Sequence, residues 1–349
     1  MEEQYEKAFN TRIFNRESLK DAAEALQKGQ LVAFPTETVF GLGAIANNEA
    51  AVRSVFETKG RPQDNPLIVH VHNPKQVDTY VKEVNVIAKQ LMDAFWPGPL
   101  TIIFPVKEDI FAPSVTPGQS TVGIRMPNQL ESLLLIEMTG FPIVGPSANI
   151  SGKPSPTSVD HVMHDFDGKI AGVVNNYSAF TDVGVESTVV RPTEDSVEIL
   201  RPGVITKKMI EKIVKVKVIE KTAIEQLKDP SIASPGVKYT HYSPNQPVYM
   251  INPKHSIRDW MDFITNTDKK IGVLAQDSII DELKEQNLAH SYYSLGESNN
   301  IESPTQRLFA GLRELESSGC EAIFVQSFEE NEHTHAYLNR LSKASKTMI

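Results

Sequence analysis

Six short segments between residues 34 and 203 limit how this chain can fold, because each contains proline or glycine. Such residues end regular elements, so the stretches between them predict short helices and strands. The segments also carry hydroxyl, amide or cationic side chains, and loops this costly to order usually bind something. Their chemistry suits an anionic ligand with phosphate and carboxylate groups. The segments are 34–43 (FPTETVFGLG), 59–70 (KGRPQDNPLIVH), 95–101 (FWPGPLT), 121–127 (TVGIRMP), 145–157 (GPSANISGKPSPT) and 186–203 (beginning ESTVV and ending ILRPG).

Hydrophobic periodicity in the first part of the chain predicts helices and strands in irregular alternation. Helices are predicted at 18–28, 49–59, 84–95, 129–139 and 206–214. Strands are predicted at 31–34, 67–71, 100–106, 121–126, 142–145, 172–175, 187–191 and 197–200, the last two as a hairpin. Because no regular βαβ rhythm is present, we expect a mixed sheet with helices packed against it.

Residues 248–349 show a more regular pattern, in which four short apolar strands each precede a helix. Four such units in about 100 residues predict a small open parallel sheet. Its turns lack the G-x-G-x-x-G motif, so no dinucleotide site is assigned. A length of 349 residues predicts about two domains. We therefore expect a first domain at 1–212, a linker at 213–247 and a second domain at 248–349.

Composition excludes several classes of protein. The net charge of −9 argues against a general nucleic-acid binder, which would normally be basic. The single cysteine, Cys320, excludes an internal disulfide and a cysteine-based zinc site. No apolar run approaches the ~20 residues that span a bilayer, and the charged N-terminal residues carry no secretory signal. A cytoplasmic location is therefore expected.

The segment 121–127 is the clearest candidate for binding an anion. Its alternation places Thr121, Gly123 and Arg125 on one strand face. An arginine beside a glycine gap suits bidentate binding of a carboxylate or phosphate. The alternative is a solvated strand face with Arg125 pointing outward.

Two further segments have the composition of phosphate-binding loops. Lys59, Arg61 and Asn65 place two cations and an amide within seven residues, although helix-end charges followed by a turn explain this segment, taken alone, slightly better. The segment 145–157 offers five hydroxyl or amide side chains and one cation, although an ordinary turn has similar composition. It is not a Walker A loop, and no G-x-S-x-G elbow supports a hydrolase.

Taken together, PTETVFGLG, KGRPQDNPL, WPGPLT, IRMP, PSANISG and ESTV with ILRPG resemble the YrdC/Sua5 family of threonylcarbamoyl-AMP synthases. The resemblance covers about residues 12–245. The stretch SPGVKYTHYSP resembles the linker of the longer, Sua5-type members, and residues 248–349 resemble their C-terminal domain, including an RL-x-KA ending. The implied fold class is α/β, with a YrdC-like twisted mixed sheet and a smaller Rossmann-like C-terminal domain.

The resemblance implies a reaction in which L-threonine, bicarbonate and ATP give threonylcarbamoyl-AMP and diphosphate. The product would serve the threonylcarbamoylation of adenosine 37 in tRNA, so the implied partners are the downstream transfer machinery and, more weakly, tRNA itself. Mg²⁺ would accompany the triphosphate without protein ligands. Forming an acyl-adenylate needs positioning and charge neutralisation more than a protein nucleophile, so no catalytic residue is assigned.

The resemblance also implies two sets of binding residues. L-threonine would be held by Thr36, His70, Arg125 and Ser187. ATP would contact Lys59, Arg61, Asn65, Thr121, Ser147, Asn149, Ser155, Arg201 and, from the linker, Tyr239. The linker segment 231–245 is then expected to act as a flap over the nucleotide.

Two other functions compete with this one. Isolated YrdC-like domains have been linked with RNA, but the acidic charge argues against an RNA-binding module. Carbamoyl-transferring maturation factors contain such a domain together with zinc-finger cysteines, and this chain has a single cysteine. Diphosphate release that depends on ATP and threonine, measured with and without bicarbonate, would separate the three.

Overall fold

Two β-sheets organise the described part of the chain, which comprises residues 10–222, 225–226 and 242–349 of a computed structural model. The first sheet has eleven strands in the order β1-β8-β2-β3-β7-β4-β6-β5-β9-β10-β11. They are β1 Arg12–Phe14, β2 Val32–Phe34, β3 Gly41–Ile45, β4 Ile68–His70, β5 Leu100–Pro105, β6 Thr121–Arg125, β7 Ile143–Val144, β8 Gly172–Val174, β9 Thr188–Pro192, β10 Ser196–Arg201 and β11 Lys217–Glu220. Neighbouring strands pair both ways, β4 with β6 in parallel and β5 with β6 antiparallel. The predicted mixed sheet and the β9–β10 hairpin are both present.

Helices cover both faces of this sheet because its strands are apolar on both sides. In β2, Ala33 belongs to one apolar cluster while Val32 and Phe34 belong to another. The helices of this part are α1 Leu19–Gln27, α2 Glu49–Lys59, α3 Val77–Tyr80, α4 Val86–Phe95, α5 Leu130–Thr139, α6 Val159–Phe166 and α7 Lys207–Ile213. The end of α2 shows how the sequence sets these bounds, since Gly60 takes a left-handed φ of 61° there.

Periodicity did not predict three strands of the first sheet, β1, β3 and β11. The strand β1 has only three residues and pairs in parallel with β8. The strand β3 contains two glycines in GLGAI, which have low strand propensity, yet all five residues are buried between β2 and β7. Tertiary pairing therefore decides its conformation. The strand β11 pairs in parallel with β10 although it lies inside the predicted linker, 213–247.

The second sheet confirms the parallel arrangement expected for residues 248–349. Its strands are β12 Val248–Ile251, β13 Ile271–Ala275, β14 Ser291–Ser294, β15 Ala322–Gln326 and β16 Thr347–Met348. All neighbours pair in parallel, in the order β14-β13-β15-β12-β16. The helices are α8 Ile257–Thr265, α9 Asp277–Glu285, α10 Ser303–Ser317 and α11 His335–Ala344.

The two parts of the chain pack directly on one another. Val39 and Val185 of the first part belong to the apolar cluster that includes Leu308 and Phe309 of the second. Gly184 lies so close to α10 that a Cβ added to it would come within 2.3 Å of a main-chain oxygen. Within the described residues, no helix has the length and apolar character needed to cross a membrane.

Candidate active site

One cavity brings together most of the residues predicted to bind ligands. It lies over one face of the central strands β3, β7, β4 and β6. Eight predicted residues line it, namely Thr36, Arg61, His70, Arg125, Ser147, Asn149, Ser187 and Arg201. The register of β4 and β6 pairs His70 with Arg125, which explains why residues 55 positions apart share this face.

Arg125 is buried at the end of β6, and each of its three guanidinium nitrogens contacts a neighbouring residue. Its Nε donates to the Gly98 carbonyl at 3.2 Å, and its Nη1 donates to the Thr38 hydroxyl at 2.8 Å. Its Nη2 lies 2.7 Å from the carboxylate of Glu37, which is also buried. The side chain therefore points into the fold, so the outward alternative for this strand face is wrong.

Glu37 was not predicted from the sequence, although it lies in the first of the six segments. Its second carboxylate oxygen accepts a hydrogen bond from the main-chain N–H of Asn128 at 2.9 Å. The pair with Arg125 neutralises a guanidinium that would otherwise be costly to bury, and it fixes the plane in which Arg125 presents its N–H groups.

His70 is a neutral hydrogen-bonding group on the floor of the cavity. Burial, with Arg125 nearby, lowers its pKa to about 3. Its ring packs edge-on against Phe34 with 5.3 Å between ring centres. A Cβ on Gly145 would lie 2.8 Å from this ring, so only glycine leaves room for it. Its Nδ1 has no hydrogen-bond partner among the described residues, which leaves a buried polar atom facing the cavity.

Ser187 and Arg201 form one wall. The Ser187 hydroxyl lies 2.8 Å from the Thr101 hydroxyl. Arg201 Nη2 donates a hydrogen bond to the Ser187 hydroxyl at 3.2 Å. Arg201 Nε donates to the Ser187 carbonyl at 3.1 Å. Burial lowers the pKa of Arg201 to about 10, so this guanidinium stays charged near neutral pH. The wall therefore offers a hydroxyl and a cation side by side.

Glu186 is a second acidic residue that sequence reasoning missed, although it begins a recognised segment. Burial alone would raise its pKa, but Arg340 and Arg201 outweigh burial and lower it to about 2. Its carboxylate accepts from the Ser155 hydroxyl at 2.5 Å and from Arg340 Nε at 2.8 Å. Ser155 therefore contacts Glu186 and does not line the cavity.

The segment 145–157 forms the opposite wall and is held from below by Lys59. The Lys59 ammonium donates to the carbonyls of Ser147 and Asn149, both at 2.5 Å. Burial lowers its pKa well below the usual range. The Asn149 amide donates to the carbonyls of Ile150 and Lys153, while its Oδ1 has no partner in the described part of the chain.

Five predicted residues are not among those that line the cavity. Lys59, Asn65 and Ser155 are buried beside it, and Thr121 lies four residues from Arg125 along β6, about 13 Å away. Tyr239 lies outside the described residues, as does most of the predicted flap, 231–245. Lys153 and Tyr242 line the cavity without having been predicted.

Family models match nearly all of the chain. One described as "Telomere recombination" (Sua5, YciO and YrdC) matches residues 24–203, and one described as "Threonylcarbamoyl-AMP synthase, C-terminal domain" matches residues 205–346. The chain belongs to the Sua5/YrdC family of threonylcarbamoyl-AMP synthases. The family and enzyme class predicted from the six segments are thereby confirmed.

Relatives and a solved structure agree with this membership. The Bacillus subtilis threonylcarbamoyl-AMP synthase is 40% identical over 341 residues, which cover 95% of this chain and 94% of the relative. A crystal structure of Pyrococcus abyssi Sua5 complexed with L-threonine is 38% identical, covers 97% of this chain and 100% of its own, and superposes with a TM-score of 0.87. The Vibrio cholerae synthase is 37% identical over 161 residues, which are 45% of this chain and 85% of that protein. The family thus includes members that match only part of the chain.

Proposed function

We propose that this cavity joins L-threonine, bicarbonate and ATP into threonylcarbamoyl-AMP and diphosphate, in the cytoplasm and for the modification of tRNA adenosine 37. The observation that carries the proposal is the convergence of three arginines, Arg61, Arg125 and Arg201, on one cavity in which Glu186 is the only carboxylate among the described lining residues. Glu37 offsets the charge of Arg125 from outside this lining, and the three guanidiniums suit a ligand set that brings a carboxylate and a triphosphate.

The amino acid would occupy the end of the cavity around Arg125. Its carboxylate would face the Arg125 guanidinium, whose plane Glu37 and Gly98 fix. The Ser187 hydroxyl and the neutral His70 ring would complete the contacts, and Thr36 would lie beside them. L-threonine in the related P. abyssi structure supports this choice of ligand.

ATP would occupy the other end, between the segment 145–157 and Arg201. Arg61 lines this end and donates from Nη2 to the Pro66 carbonyl at 3.2 Å. Ser147 and Asn149 offer a hydroxyl and an amide on the loop that Lys59 holds. We assign Lys59 to positioning this loop, while Asn65, Thr121, Ser155 and Tyr239 remain predicted ATP contacts.

The chemistry needs alignment more than acid or base groups. The threonine amine would add to the carbon of bicarbonate with loss of water, and an oxygen of the resulting carbamate would attack the α-phosphorus as diphosphate leaves. Fixed cations stabilise the charge that develops on the phosphate oxygens. A closed, dry cavity protects the mixed anhydride from water.

No metal site is assigned to the protein. The described residues contain no group of three or more His, Cys, Asp or Glu side chains that could hold a metal ion. The lining carboxylate of Glu186 is already bound by Arg340 and Ser155. Any Mg²⁺ would then arrive on the triphosphate.

Diphosphate release by the purified protein tests the function. We expect release that requires ATP, L-threonine and bicarbonate together, with threonylcarbamoyl-AMP detected by mass spectrometry. L-alanine in place of L-threonine is the matched control, because it keeps the carboxylate and lacks the side-chain hydroxyl. Diphosphate release that does not depend on bicarbonate would contradict the proposal. So would the absence of release when ATP, L-threonine and bicarbonate are all present.

A further inference from the structure

Two arginines of the second part of the chain reach the walls of this cavity. Arg313 lies on α10 and Arg340 on α11, and they are 8% and 0% exposed. We propose that Arg313 and Arg340 are positioning residues, through which the second domain sets the two walls of the ligand site. The inference rests on the proposed function of the cavity and gives the second domain a part in the reaction.

Arg340 joins the start of β9 to the end of β10, beside Ser187 and Arg201. Its Nε donates to the Glu186 carboxylate at 2.8 Å, and its Nη2 donates to the Glu186 carbonyl at 3.1 Å. Its Nη1 donates to the Pro202 carbonyl at 2.8 Å. Glu186 directly precedes Ser187, and Pro202 directly follows Arg201. One guanidinium thus fixes the main chain beside a predicted threonine contact and beside a predicted ATP contact.

Arg313 holds the opposite wall at two points. Its Nε and Nη2 donate to the Pro154 carbonyl at 3.0 and 2.6 Å. Its Nη1 and Nη2 form a bidentate pair with Asp165 at 3.1 and 2.8 Å. Asp165 in turn accepts from the Ile150 amide at 3.1 Å. The segment 145–157, which carries the predicted phosphate contacts, is therefore held at both Ile150 and Pro154.

A second contact from the same helix supports this reading. Glu316, three residues after Arg313 on α10, lies 2.7 Å from the Lys153 ammonium. Lys153 lines the cavity and lies between the two points that Arg313 holds. Three points of the wall, at Ile150, Lys153 and Pro154, are thus held from one helix of the second domain, the first of them through Asp165.

Stability alone does not account for these pairs. Buried ion pairs usually gain little over apolar packing, because both charges must leave water. What they provide is direction, since a planar guanidinium satisfies several acceptors in a fixed geometry that a lysine cannot reproduce. Arg313 and Arg340 each direct that geometry at the segments that form the cavity walls, 159 and 154 residues away in sequence.

Steady-state diphosphate release by the full-length protein, with ATP and L-threonine varied separately, tests the proposal. The variants are Arg340→Lys and Arg313→Lys, which keep the positive charge but lose the planar guanidinium and its several N–H donors. We expect Arg340→Lys to raise the KM for both ligands by about tenfold or more, because its wall carries contacts to both. We expect Arg313→Lys to raise the KM for ATP by a similar factor and to leave that for threonine within about twofold.

Arg307→Lys is the matched control on α10. Its Nε donates to the Ser294 carbonyl at 2.6 Å within the second domain, and its guanidinium stacks on Tyr293 at 5.2 Å. It should leave both KM values unchanged even where the thermal midpoint falls. If Arg340→Lys and Arg313→Lys behave like this control, the two arginines only hold the fold and the proposal is overturned.

The pH profile of Arg340→Met gives a readout that a purely structural role would not move. Glu186 loses Arg340, the first of the partners that lower its pKa, so burial should raise that pKa even though Arg201 and Ser155 remain. We expect kcat/KM of this variant to fall on acidification over a range where the wild type stays flat. Matching profiles would contradict the proposal, and if Arg340→Met does not fold, the lysine variants decide. An inactive wild type would instead refute the proposed function.

Discussion

Two cavities of this molecule, one in the first part of the chain and one at its boundary with the second part, differ in their unsatisfied groups. The boundary cavity, of about 400 Å³, is the larger of the two and lies at the carboxyl ends of β13, β14 and β15, with Lys208 of α7 also lining it. Open parallel sheets commonly bind ligands there. Yet its cation Lys208 lies 3.2 Å from Glu332, and none of its described lining side chains has a buried polar atom without a partner.

The smaller cavity of the first part has such atoms. His70 Nδ1 and Asn149 Oδ1 are buried, line the cavity and have no hydrogen-bond partner among the described residues. A buried polar atom without a partner is costly, so it usually marks where a ligand or water binds. Buried polar atoms without partners therefore distinguish the first cavity from the boundary cavity, although the boundary cavity is larger.

The largest expected effect separates the two cavities directly. Arg125→Ala should weaken L-threonine binding by about 2–5 kcal/mol, because a desolvated charged partner is lost. ATP affinity should change little. Calorimetric titration of both ligands measures this, and Arg125→Lys, which keeps a charge opposite Glu37, should lose less.

The control for that experiment is Lys208→Ala in the boundary cavity, where we expect no change for either ligand. Equal threonine affinity in Arg125→Ala and the wild type would remove Arg125 from the site. Weaker binding of either ligand by Lys208→Ala would instead indicate that the ligands bind in the larger cavity.

A smaller effect should distinguish phosphate contacts from base contacts. Arg61→Ala should weaken ATP by about 1.5–3 kcal/mol and AMP by clearly less, because its charge would meet the outer phosphates. Lys59→Ala should also weaken ATP more than AMP, through the loop carbonyls it binds. Competition by the two nucleotides against a fluorescent analogue measures the difference. Equal losses of ATP and AMP affinity would indicate that Arg61 and Lys59 do not act on the phosphates and only support the fold.

The free energy of unfolding should decrease at acidic pH because of His70 in the first cavity. The pKa of His70 is about 3 in the folded chain and near 6.5 when unfolded, so the unfolded state binds the extra proton between these values. Stability should therefore fall by about 2 kcal/mol as pH drops from 6.5 to 5. Denaturant unfolding of His70→Gln should show a shallower acid slope than the wild type. An identical slope would mean that His70 is not buried as described.

The smallest expected effect has the opposite sign and lies in the second part. His335 on α11 contacts Glu220 of β11 at 2.6 Å and Glu330 at 3.0 Å, and these hydrogen bonds raise its pKa. A raised pKa stabilises the fold below about 6.5 and loses that stabilisation as pH rises through the folded value. The thermal midpoint of His335→Gln should therefore approach that of the wild type as pH rises from 6 to 8. A gap that widens over this range would contradict the assignment.

The sequence predicted the local features well and the long-range ones poorly. Strand alternation placed Arg125 on the strand face that lines the cavity, and the βα rhythm predicted the parallel second sheet. It could not predict the pairing of Arg340 with Glu186, because nothing local links residues 154 positions apart. Nor could it predict that Lys59 would turn inward to loop carbonyls, since helix-end lysines usually remain in water.

A crystal structure of the protein with L-threonine and a non-hydrolysable ATP analogue tests the central claim most directly. The threonine carboxylate should lie within hydrogen-bond distance of Arg125, with His70 Nδ1 and Asn149 Oδ1 satisfied by ligand or by ordered water. The triphosphate should lie between Arg61, Ser147 and Arg201. Ligands bound instead at the carboxyl ends of β13, β14 and β15, with His70 Nδ1 still unpartnered, would contradict the account.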